Sequence, residues 1–107
     1  MDVNSIIITI FFYVKKGQEE KFLEYEKRVL PILENYGGEL VFRWRPGNSE
    51  YAYWRNEAPF EVHMLSFGSE KGLSNYLKDE NRIKNAPLFQ ESILKTVLFE
   101  GSLKSSL

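Results

Sequence analysis

A chain of 107 residues is long enough for one domain and too short for two independent cores, so a single domain over residues 1–107 is expected. At 43% hydrophobic, 15% aromatic and 27% charged it can bury enough apolar surface to fold, which excludes a disordered chain. Fourteen basic and fifteen acidic side chains give a net charge of -1, without the positive field that nucleic acid or an anionic membrane needs, and the lack of cysteine excludes disulfides, thiolate catalysis and thiolate metal sites. A reducing, cytoplasmic setting fits that composition.

The first element is the run "SIIITIFFYV". It is too short to span a bilayer, and with Asp2 before it and "KKGQEEK" after it lacks the flanks of a signal peptide, so it reads as a strand over Ile6 to Val14. Period-two alternation puts Ile6, Ile8, Ile10, Phe12 and Val14 on one face and Ile7, Phe11 and Tyr13 on the other. Both faces are apolar. One layer of helices covers a single face of a sheet, and in so short a chain the other cover comes from a second copy of itself.

In "QEEKFLEYEKRVLPILENYGG" the spacing of Phe22, Tyr25, Val29, Leu33 and Tyr36 predicts one face of a long amphipathic helix. Pro31 removes a backbone donor and predicts a kink near Val29 to Leu30, while Gly37-Gly38 supplies the stop. The next segment, "ELVFRWR", predicts a strand with Leu40, Phe42 and Trp44 on one face and Glu39, Val41, Arg43 and Arg45 on the other. "PGNSE" is a turn, and Tyr51 to Trp54 either extend a hairpin or form an ordered loop.

Pro59 resets the chain before a third strand, "FEVHMLSF". Ser69 is placed to cap a helix carrying Leu73, Tyr76 and Leu77, Asp79 to cap a second turn through Ile83, and Pro87 to start a last piece ending near Ser92. "ILKTVLFEG" closes as the fourth strand, and residues 102–107 read as a flexible tail. The order strand, helix, strand, strand, helix, strand defines an α+β, ferredoxin-like fold, a four-stranded antiparallel sheet with its helices on one side.

Two segments, "FLEYEKRVLPILENYGGELVFR" from Phe22 to Arg43 and "VHMLSFGSEKGLSNYLKDENRIKNAPLF" from Val62 to Phe89, resemble the dimeric α+β barrel superfamily, in particular its small uncharacterised bacterial branch related to antibiotic-biosynthesis-type monooxygenases. The resemblance implies a homodimer whose two sheets face each other in a barrel, with a pocket in each protomer between sheet and helices. Some relatives are cofactor-free monooxygenases of aromatic polyketides, some degrade haem and many have no assigned activity. The haem-degrading relatives resemble one another through an Asn, Trp and His constellation with its histidine in the helix region. The only histidine here, His63, lies on the third strand, and that activity is not carried over.

His63 shares a strand face with Glu61, Leu65 and Phe67. It reads either as a general base or ligand-orienting group, or as a histidine satisfied by a neighbouring carboxylate. A lone imidazole with no cysteine predicts no metal site. Arg43, if strands two and three form a hairpin, lies near His63 in a polar cluster suited to a carboxylate or enolate; alternatively Arg43 and Arg45 are solvated edge charges. Tyr13, Tyr25 and Tyr36 are expected around the intraprotomer pocket, where each either binds a ligand or is plain core. Trp44 and Trp54 are further ligand-binding candidates, and the segment from Tyr51 to Arg55 is expected to act as dimer clasp and pocket rim.

No phosphate loop, nucleophile elbow or paired histidines occur, and no cofactor is implied. Two functions follow: a cofactor-independent monooxygenase or isomerase acting on an aromatic, enolisable substrate, or a non-catalytic dimeric module, stress-associated or binding a small apolar ligand. A haem-handling protein is the third. Nucleic acid and membrane are not expected partners.

Overall fold

A computed structural model of the chain describes residues 4–47 and 57–102. Four strands, β1 (Ile6–Val14), β2 (Gly38–Trp44), β3 (Glu61–Phe67) and β4 (Ile93–Ser102), form one antiparallel sheet in the order β2-β3-β1-β4. The helices are α1 (Glu19–Val29), a 3-10 helix (Leu30–Tyr36), α2 (Glu70–Leu77), α3 (Glu80–Lys84) and α4 (Ala86–Ser92). This is the ferredoxin-like α+β order read from the sequence. The Cα trace is a slab 39 × 38 × 17 Å, the thickness of one sheet with one helical layer. No helix among the described residues is long and apolar enough to cross a membrane.

Local chemistry sets the element ends. Ser69 Oγ accepts a hydrogen bond from the Gly72 N–H at 3.0 Å, and Asp79 Oδ1 accepts one from the Arg82 N–H at 2.9 Å, so both expected caps form. Gly37 ends the first helical stretch at φ 70°, where a side chain would be strained. At the Val29–Leu30 boundary, where Pro31 predicts an interruption, the α-helix gives way to a 3-10 segment, with the proline in its first turn, where a missing N–H costs little. Gly72 lets α2 lie against that segment, since a Cβ there would sit 2.4 Å from the Tyr36 carbonyl oxygen.

The core lies between the helices and one face of the sheet, built on Ile8, Val29, Ile32, Leu33, Leu65 and Phe67. Phe22 and Phe67 are fully buried. β2 departs from simple alternation. Leu40 pairs with Leu65 and Phe42 with Met64, leaving Val41 as an extra residue. This bulge turns Leu40 toward the core, on the side shared by Arg43, while Phe42 and Trp44 emerge on the far face. Leu40 therefore separates from Phe42 and Trp44, contrary to the uninterrupted alternation predicted.

The far face carries Phe42, Trp44, Val97 and Phe99, which are 40%, 39%, 38% and 59% exposed. Phe11 meets Phe99 edge to face across β1 and β4, centroids 5.9 Å apart. At the end of β4 the sheet continues through Ser102, paired with Ile6, one residue into the expected tail.

Candidate functional site

Register brings the charged residues together. His63 on β3 pairs with Arg43 on β2 and with Ile10 on β1, and Glu61 pairs with Phe12. All these side chains emerge on the helical face, under α1. Glu26 comes down from α1, four residues after Phe22 and three before Val29, on the stripe that faces the sheet. Glu26, Glu61 and His63 are 4%, 0% and 2% exposed.

Two of these groups are tightly tied. Glu61 Oε1 lies 2.5 Å from His63 Nε2 and 3.2 Å from Arg43 Nε, and Glu61 Oε2 accepts from Arg45 Nη2 at 2.7 Å. Burial works against a charge on Glu61, but hydrogen bonds from His63, Glu26 and Arg45 outweigh it and hold the carboxyl at about 2. An ionised carboxylate only accepts, so Nε2 of His63 carries a proton and donates it to Glu61.

Glu26 is the reverse case. Arg43 Nη1 stands 3.6 Å and His63 Nε2 3.7 Å from its oxygens, and neither oxygen receives a hydrogen bond from a described group. Such a carboxyl satisfies itself by keeping its proton and directing it at Glu61. Burial, then that hydrogen bond, then the Glu61 charge push Glu26 up to about 9, with Arg43 and Arg45 pulling weakly the other way. At neutral pH the cluster therefore holds one anion, two guanidiniums and a neutral carboxylic acid.

Glu26, Glu61 and His63 offer three ligand atoms within 4.8 Å of one another, a spacing open to a cation. Arg43 and Arg45 already supply the positive charge beside these carboxylates, and a divalent ion there would be repelled by both guanidiniums. The donor set fits proton chemistry better than metal chemistry.

His63 and Glu26 open onto a cavity of about 250 Å³ between sheet and helices. Its walls are mostly apolar, with Ile10, Phe12, Leu65 and Leu98 from the strands and Phe22 and Phe89 from the helices. Tyr25, Tyr76 and Arg82 add polar atoms from α1, α2 and α3. Rings organise the wall: Tyr25 lies 5.1 Å from Phe89, and Phe12 stands edge-on to His63 at 4.7 Å.

The sequence-derived candidates disperse over this frame. His63 and Tyr25 line the cavity; Arg43 does not, and instead lines a separate groove with Glu26 and Arg45. Tyr36 donates its hydroxyl to Asp79 Oδ2 at 2.6 Å and packs beside Tyr76, outside the cavity. Tyr13 points to the far face, under the Lys95 ammonium at 4.6 Å, and Trp44 shares that face. Trp54 and the expected clasp from Tyr51 to Arg55 lie outside the described residues. Sequence reasoning missed Glu26, Glu61, Tyr76 and Arg82. Glu26 left a signal, an acid in register with the apolar stripe of α1, and Glu61 another, an acid two residues from the sole histidine.

No protein-family model and no functionally curated protein matches this sequence. Solved structures do match. A protein of unknown function from Rhodopseudomonas palustris superposes with a TM-score of 0.81 at 12% identity, over 98% of this chain and 86% of that one. SnoaB, a cofactor-independent oxygenase from Streptomyces nogalater, gives 0.67 at 10% identity over 97% of each chain. A dimeric protein of unknown function with a ferredoxin-like fold, from Bacteroides fragilis, gives 0.67 at 5% identity over 92% of this chain and 96% of that one. At these identities the likeness establishes the ferredoxin-like fold shared by all three.

Proposed function

We propose that the chain is a homodimeric small-molecule enzyme, a cofactor-independent oxygenase or isomerase acting on an enolisable single-ring aromatic. The observation that carries this reading is the apolar cavity of about 250 Å³ with a tautomer-fixed imidazole and a protonated carboxylic acid on its wall. Held through Nε2–H by Glu61, His63 has Nδ1 left to act as the base. Glu26 acts as the acid, hydrogen-bonding the oxygen on which enolate charge develops.

The chemistry balances without a cofactor. The base takes a proton from the carbon next to a carbonyl, and the electron pair remains as an enolate. Returned to another carbon, the proton gives an isomer. Given instead to dioxygen, the electrons form a carbon–oxygen bond, and loss of water turns the CH₂ into C=O with one O₂ consumed. The fold likeness to an oxygenase supports this reading, as does a cavity size too small for a tetrapyrrole.

The test is proton abstraction itself, read as deuterium exchange at the acidic carbon of single-ring ketones and phenols in D₂O, with oxygen uptake separating oxygenase from isomerase. His63→Ala is expected to lower exchange about 10²- to 10⁴-fold while the fold is retained. Binding without any exchange, in any member of the panel, would turn the reading to the non-catalytic module.

Dimerisation in this proposal covers the far face of the sheet, where Phe42, Trp44, Val97 and Phe99 leave apolar area in water. The dimeric neighbour from Bacteroides fragilis supports it. Light scattering at micromolar concentration is expected to give twice the 12.6 kDa chain mass, and Phe99→Glu to give the single mass. A wild-type protein that scatters as one chain would remove the dimer from the proposal.

A further inference from the structure

Arg82 has no task in the chemistry above, yet it is built into the wall of the same cavity. Its Nε is buried without a hydrogen-bond partner, and no carboxylate among the described residues lies within ion-pair distance of its guanidinium. Asp79, three residues before it, is spent on the backbone N–H of Arg82 and on the Tyr36 hydroxyl. The guanidinium carbon stands 5.0 Å from the centre of the Tyr76 ring, over its face. The Glu26 carboxyl lies in the field of Arg43 and Arg45, whereas Arg82 acts on the Tyr76 phenol, by charge and by a hydrogen bond, and by charge on Tyr25 and Asp79. The cavity thus has two polar stations served by different cations.

A buried N–H without an acceptor is costly, and a guanidinium is made to take a carboxylate. We propose that Arg82 is the anion anchor of the cavity, holding the carboxylate of a single-ring aromatic acid whose reactive carbon is thereby presented to His63 and Glu26. The monoanion is favoured over phosphate because one guanidinium in an apolar wall neutralises one unit of charge, and a dianion would be left half unpaired. Size points the same way: a cavity of about 150 Å³ admits benzene, so 250 Å³ leaves space for one ring and a short acidic arm. The inference rests on the small-molecule reading of the cavity and names the class of substrate.

Phenylacetate and 2-phenylacetamide share a shape and differ in charge, which makes them the probes. Titration calorimetry on the full-length wild-type chain is expected to give about 10- to 100-fold tighter binding of the acid than of the amide. In Arg82→Met that preference should vanish while amide binding stays, and in Arg82→Lys part of it should return. A purely structural Arg82 would change both affinities together. Equal affinities in the wild type, or a preference that survives in Arg82→Met, would overturn the anchor and leave the cavity reading standing. Binding of neither probe at millimolar concentration would overturn both. Should Arg82→Met not fold, the acid–amide comparison in wild type and Arg82→Lys still decides.

Discussion

Glu61→Ala is expected to lower the unfolding free energy at pH 7 by about 3–5 kcal/mol, because it strips the only ionised acid from a buried cluster and leaves its partners behind. Arg45 loses its 2.7 Å bond, Arg43 its 3.2 Å contact, and the His63 N–H its acceptor, inside a space from which water is largely excluded. Both arginines are about half exposed and swing partly into solvent, which limits their share of the loss. The histidine has no such escape, being 2% exposed. Since a domain of this size holds about 5–15 kcal/mol in all, the variant should sit near the edge of folding. Urea unfolding measures the loss directly, and Glu61→Gln, which keeps an acceptor of the same shape, should cost distinctly less. A loss below about 1 kcal/mol in the alanine variant would mean that the guanidiniums behave as solvated edge charges.

That cluster also shows where the sequence was informative and where it was not. The two-faced β1, the Ser69 and Asp79 caps and the Gly37 stop are local signals, each set by residues within a few positions, and the fold followed from their order. The proximity of Arg43 to His63 was legible too, because a hairpin pairing of β2 with β3 requires it. What stayed hidden depends on non-local geometry. The bulge at Val41 is fixed by how β2 must meet both β3 and the helices, and no residue type announces it. Glu26 sat in plain view on the apolar stripe, yet an acid there becomes meaningful only when Glu61 and His63 arrive from a strand 35 residues further along the chain. Tyrosines mislead for a related reason. Tyr13, Tyr25 and Tyr36 look alike in sequence, and only the pleat and helix phase send one to the far face, one to the cavity and one to Asp79.

The second large effect concerns Glu26 and is a matter of pH. A carboxyl ordinarily at 4.5 but held at about 9 in the folded chain keeps a proton that the unfolded chain releases once pH passes 4.5. Folding stability from this group is therefore fully present below 4.5 and declines as pH rises toward 9, at a slope of at most about 1.4 kcal/mol per unit. Glu61, held at about 2, works in the other direction, contributing stability above 4.5 that is lost as pH falls from 4.5 to 2. Together the pair places its optimum near the ordinary carboxylate value. Glu26→Gln keeps the shape and the donor to Glu61 but cannot ionise. It should match wild type near pH 4.5 and gain on it steadily to pH 9, so that the difference in urea midpoint widens across that window. His63, Arg43, Arg45 and Glu61 all face the substituted side chain and remain in both proteins, so their own titrations largely cancel in the comparison. Parallel profiles would show that Glu26 is ionised in the folded protein, and the role of acid in the proposed chemistry would pass to another group. The same substitution divides structure from catalysis: the more stable protein at pH 8 should also be the slower one in deuterium exchange, because an amide hydrogen-bonds an enolate less strongly than a carboxylic acid does.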